Sequence, residues 1–175
     1  SAAARRPRIS TSIVVPAARA VAARVGERGR KLVMDVGGAD VGSRVLGSVP
    51  GLADPATTDV LFVVNGNRPF AETPAAVIEM LRNIERAARV SVTGLVANTH
   101  LIDETTPDVI EAGLQLARDV STQLDLPIRF WAALAHVAES ANGLGGTLPL
   151  LPLTRYITPP IGWRTGGARR RSSLV

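Results

Sequence analysis

The sequence predicts an α/β domain built on an open, mostly parallel sheet with helices on both faces, and three observations predict it. Residues 31–36, 59–65, 90–97 and 128–134 form short apolar stretches without strict alternation, the pattern of strands buried on both sides. Amphipathic helical stretches separate the last three of them. Strands alternating with helices of this length make βαβ units, which close a parallel sheet. The chain has 175 residues and a mass of 18.4 kDa, enough for one domain. That domain spans 16–161, between a basic N-terminal extension over 1–15 and a basic tail over 162–175 that reads as disordered.

The elements follow in order. Residues 12–15 form a short β-branched run stopped by Pro16, and residues 17–28 read as an Ala/Arg-rich helix closed by Gly29. The strand expected over 31–36 ends at Gly37-Gly38, and a glycine-rich, turn-rich segment carries the chain to Thr58. After the strand over 59–65, Thr73 and Pro74 supply a cap and first turn for a helix to Ala88, with Val77, Ile78, Leu81, Ile84 and Ala88 on one face. After the strand over 90–97, Thr106 and Pro107 open a second helix to about Leu124, with Val109, Ile110, Leu114, Leu116, Ala117 and Val120 on its apolar side. Pro127 breaks the chain before the strand over 128–134. Beyond it the pattern loosens into a glycine-rich turn over 141–146 and an edge strand within 148–157.

Composition removes whole classes of function. Aromatic residues are 3% of the chain, too few for the stacking platforms of nucleic-acid modules. Cysteine is absent, which excludes disulfides, thiolate nucleophiles, Cys-ligated zinc and iron–sulfur clusters. The two histidines, His100 and His136, have no i,i+4 partner, so a metal would be held by oxygens. No G-x-S-x-G elbow accompanies them, and His136 lies on an apolar stretch that predicts a half-buried side chain. The net charge is +5, but Arg5, Arg6, Arg8, Arg164, Arg169, Arg170 and Arg171 lie in acid-free ends, so the body between them is slightly acidic. Contact of these ends with nucleic acid or an anionic membrane is a weaker reading than a solvated end, because the tail has no apolar face. No apolar run has the length of a membrane span and no apolar signal region opens the chain, so the expected location is cytoplasmic.

In an open parallel sheet, ligands sit beyond the carboxyl ends of the strands. Three such exits are polar. The first is Asp35-Val36-Gly37-Gly38, where a carboxylate can hold Mg²⁺ and a glycine N–H can reach a terminal phosphate. It reads equally as a strand ending in a glycine turn. The second is Asn65-Gly66-Asn67-Arg68, which is either a simple turn or a way of presenting Asn65 and Arg68 to the crevice, the guanidinium toward phosphate or carboxylate. The third is Asn98-Thr99-His100, where the Asn amide can meet a purine edge or close an Asx-turn. Asp103 and Glu104 are adjacent, so their side chains diverge and read as an acidic approach to a helix N-terminus.

The order of these exits, D-V-G-G-x-D-x-G, then V-V-N-x-N-R-P-F, then V-T-G-L-V-A-N-T-H-L, resembles the later two thirds of a MinD/ParA-type P-loop ATPase, in the wider class that includes dethiobiotin synthetase and the cobyrinic acid amidases. The resemblance covers about 31–134. It implies ATP and Mg²⁺ as cofactors, Asp35 as the carboxylate near the metal, Gly38 as γ-phosphate sensor beside Gly37, and Asn98 as the purine contact. It also implies a homodimer that passes its nucleotide state to a partner protein, here unknown.

One part of the family pattern is missing. The chain has no G-x-x-x-x-G-K-[ST] segment, and its single lysine, Lys31, leads into an apolar stretch instead of opening a helix. Without a phosphate loop, weak nucleotide binding and poor hydrolysis are expected. The start at Ser1 favours a piece of a longer ATPase over a degenerate member kept as an interaction scaffold. A carboxylate-activating enzyme like dethiobiotin synthetase, with Arg68 on an acidic substrate, is the third expectation.

Overall fold

A computed structural model of the chain describes residues 32–37 and 56–156. Within them the order is β1 (Leu61–Val64), α1 (Pro74–Ala88), β2 (Gly94–Ala97), a short 3₁₀ turn (Ile102–Glu104), α2 (Pro107–Leu124), β3 (Ile128–Leu134), α3 (Ala135–Ala138) and β4 (Leu150–Leu153). The four strands form one open sheet in the order β1-β2-β3-β4, and every neighbouring pair is parallel. The α/β class and the parallel sheet are therefore as the sequence predicts.

Local chemistry sets the ends of the two long helices. The Thr73 hydroxyl accepts from the Ala76 N–H at 3.3 Å, and the Thr106 hydroxyl accepts from the Val109 N–H at 3.4 Å, so each satisfies a donor that the first helical turn leaves unpaired. A proline follows each cap, where its missing N–H costs nothing. At the other ends Arg89 (φ 55°) and Asp125 (φ 53°) turn left-handed and donate back to the carbonyls of Glu85 and Ser121.

The described helices all lie over one face of the sheet. Val77 and Leu81 of α1, Ile110, Leu114, Ala117 and Val120 of α2, and Val137 and Ala138 of α3 share a single core with Val64, Leu95, Ala97, Trp131 and Ala133 from the strands. Crossovers of one hand between strands in sequential order produce this arrangement. Val96 and Ala132 point the other way and are buried, yet they stand outside that core. Among the described residues no helix covers this second face, where Val63 is 52% exposed.

Several strands are shorter than their apolar runs. Pairing is confined to Leu61–Val64 and Gly94–Ala97, so the edges of the 59–65 and 90–97 stretches are connections. The strand expected over 31–36 is not formed at 32–37: these residues carry no strand pairing, and Val33 is 94% exposed. An apolar run becomes a doubly buried strand only with neighbours on both edges, and among the described residues β1 pairs only with β2. The edge strand expected within 148–157 is β4, which pairs with β3 from Trp131↔Leu150 to Leu134↔Leu153. The expectations for the 1–15 extension, the 17–28 helix, Gly38 with its glycine-rich loop, and the 162–175 tail lie outside the described residues.

Candidate functional site

The carboxyl ends of β2, β3 and β4 converge on a cavity of about 350 Å³. Asn98, Thr99 and His100 enter it from the exit of β2, with Ile102 and Thr105 from the 3₁₀ turn that follows. Ala133 and Leu134 end β3 on its wall, and Leu153, Thr154 and Arg155 close it from the exit of β4. Its place is the one where open parallel sheets receive ligands, because strand ends there leave side chains and backbone groups without a further sheet neighbour.

The wall is mostly apolar, with a few polar side chains set into it. Among the described residues no carboxylate lines it, while Asn, Thr, His and Arg side chains do. An apolar slot carrying a few polar side chains suits a flat ligand with polar atoms at its edge, such as a heteroaromatic base. The backbone N–H of Asn98 donates to the Val64 carbonyl at 2.9 Å, extending the sheet by one bond and fixing where its side chain starts. Among the described residues the half-buried Asn98 amide has no hydrogen-bond partner, so it is open to a ligand.

Thr99 is the buried hinge of the site. Its hydroxyl accepts from the Gly66 N–H at 3.1 Å, tying the exit of β1 to that of β2. His100 Nδ1 accepts from the Ile102 N–H at 3.4 Å, so the ring caps the turn instead of standing free. Thr105 Oγ1 accepts from the Leu101 N–H at 2.9 Å and donates to the Ile102 carbonyl at 2.7 Å. Asp103, in that turn, pairs with Arg155 across 52 positions of sequence, Nη1 lying 3.1 and 3.3 Å from the two carboxylate oxygens.

The sequence-derived candidates divide. Asn98 lies in the cavity. Asn65 takes its turn reading: its Oδ1 accepts from the Asn67 N–H at 3.1 Å and its carbonyl from the Arg68 N–H at 3.1 Å. Arg68 is exposed on that turn and does not line the cavity. Asp35 and Gly37 are exposed on the unpaired 32–37 segment, and Gly38 lies outside the described residues. Among the described residues no three His, Asp or Glu side chains group as a metal site, so Asp35 belongs to no such group there. His136 is exposed, not half-buried, because α3 turns Val137 and Ala138 inward instead. Arg155 and Thr105 carry no sequence signal, since their roles depend on which strand exits the sheet brings together.

No protein-family model matches the chain, and no curated protein resembles it closely enough in sequence to stand as a relative. Among the described residues no helix is long and apolar enough to cross a membrane.

Proposed function

We propose that the chain is a nucleotide-binding protein resembling the MinD/ParA class of ATPases, and that the β2–β4 cavity takes the purine base. One observation carries the reading: Asn98, the residue the resemblance assigns to the purine, lies in an apolar cavity at the carboxyl ends of parallel strands with its amide unpartnered among the described residues. Asn98 and the apolar wall around it suit the base, so the function proposed is nucleotide binding. ATP is the nucleotide of this reading, with Mg²⁺ bound through its phosphates, and the protein acts in the cytoplasm as a homodimer.

Calorimetric titration with adenosine, ATP and uridine tests it. Adenosine and ATP should bind with similar, modest affinity, because the sequence has no phosphate loop to distinguish them. Uridine should bind less well, and Asn98→Leu should weaken adenosine binding by about ten-fold at unchanged melting temperature. Absence of adenosine binding, or binding indifferent to Asn98→Leu, would overturn the proposal.

A non-catalytic scaffold is the second reading. The exposure of Leu61, Val63 and Leu151 on a sheet without a described helical cover on that side favours it. It predicts no adenosine binding at all.

A further inference from the structure

The cavity is bounded by two loops that belong to different strands. Residues 100–105 leave β2 and contribute Ile102 and Thr105 to the wall; residues 154–155 leave β4 and contribute Thr154 and Arg155. The Asp103–Arg155 ion pair spans from the first loop to the second.

The 100–105 loop is otherwise bonded to itself. The Leu101 N–H is held by Thr105 Oγ1, the Glu104 N–H by the Leu101 carbonyl, the Thr105 N–H and hydroxyl by the Ile102 carbonyl, and the Ile102 N–H by His100. These bonds make a small rigid unit. Ile102 within it has φ 57°, a left-handed conformation that a β-branched residue adopts only when its surroundings impose it. Its side chain lines the cavity while remaining 42% exposed.

From this geometry we infer that residues 101–105 form a lid over the cavity, latched by the Asp103–Arg155 ion pair; a lid in this sense rests on the reading of the cavity as a ligand site. A rigid, self-bonded turn that is strained at Ile102 and tied across the cavity by a surface contact can swing about its two ends without unfolding. The ion pair is of suitable strength for such a latch: Asp103 is 59% and Arg155 31% exposed, and pairs of this exposure hold only weakly in water, so the lid reopens readily. A ligand entering under Ile102 would meet Asn98 and Thr99 below and the latched turn above.

Amide hydrogen exchange on the intact chain tests the latch without a ligand. In Asp103→Asn and in Asp103→Arg the Leu101, Glu104 and Thr105 amides should exchange about three-fold faster than in the wild type, with the amides of Leu81 and Leu114 unchanged. The Asp103→Arg/Arg155→Asp swap should return them toward the wild-type rate. Equal exchange in all forms, or a swap that restores nothing, overturns the latch.

Adenosine is the second probe. Its release, followed by stopped flow, should quicken in Asp103→Asn by about the same three-fold factor. Faster amides with unchanged release would overturn the lid, since a loop that opens without changing release does not gate. If the wild type binds no adenosine, the nucleotide reading fails on that result, and the exchange data still decide the latch.

Discussion

The side chain of Thr99 occupies the space where Gly113 would carry a side chain: a Cβ built on Gly113 would lie 2.2 Å from Thr99 Cβ and 2.3 Å from its Oγ1. Helix α2 can therefore press onto the exit of β2 only because residue 113 is glycine, and the cavity floor depends on that contact.

Gly113→Ala is accordingly expected to destabilise the fold. Alanine gains about 1 kcal/mol over glycine within a helix. The overlap involves a Cβ fixed to the backbone, so relief requires the helix to move, at the upper end of the roughly 1–3 kcal/mol that overpacking costs. The net effect should be a loss of about 2 kcal/mol by denaturant titration. Adding Thr99→Ala should not rescue it, because the Cβ clash persists, whereas adding Thr99→Gly should recover part of the loss. Rescue by Thr99→Ala would show that the geometry is wrong.

The core predicts a contrast between buried and exposed apolar residues. Leu81 and Leu114 are 0% and 1% exposed where α1 and α2 meet the shared core, so truncating either to Ala should cost about 2–5 kcal/mol. Phe70, 80% exposed with φ 66°, should behave in the opposite way. Phe70→Gly is expected to be neutral or to stabilise by up to about 1 kcal/mol, since glycine relieves the left-handed backbone. Thermal melts of the three variants check the ordering.

Both long helices end on left-handed residues that are not glycine. Arg89→Gly and Asp125→Gly should each stabilise by about 0.5–1 kcal/mol in thermal melts, because the C-terminal cap prefers a residue without a Cβ. The sites lie at the ends of different helices, so the double variant should approach the sum of the two.

Both helices are legible in the sequence to the residue because their signals are local. Thr73-Pro74 and Thr106-Pro107 carry the whole instruction for a helix start, and the apolar spacing carries the rest. Strand ends are less legible, as in 90–97 against Gly94–Ala97, because pairing depends on a neighbour's length and not on the run itself. The 32–37 segment shows the same limit, being apolar in sequence and unpaired in space. In the site, Asn98 can be found from its place after a strand. The Asp103–Arg155 pair cannot, since nothing in either residue's local sequence points across 52 positions. By sequence Asp103 reads instead as an acidic approach to α2, which its place in the turn before that helix allows.

Thr99 supplies the last prediction, through the bond from the Gly66 N–H to its hydroxyl. Thr99→Val keeps the shape of the side chain and removes the acceptor. The Gly66 N–H then loses its partner in a part-buried position, at a cost of about 1–2 kcal/mol. Because that bond joins the exits of β1 and β2, the loss should also loosen the cavity floor, so adenosine affinity should fall along with stability. Thr99→Ser retains the oxygen and should keep most of the affinity while losing some stability with its methyl group. If Thr99→Val and Thr99→Ser weaken adenosine binding equally, the hydroxyl does not organise the site, and packing against Gly113 is the whole of Thr99's role.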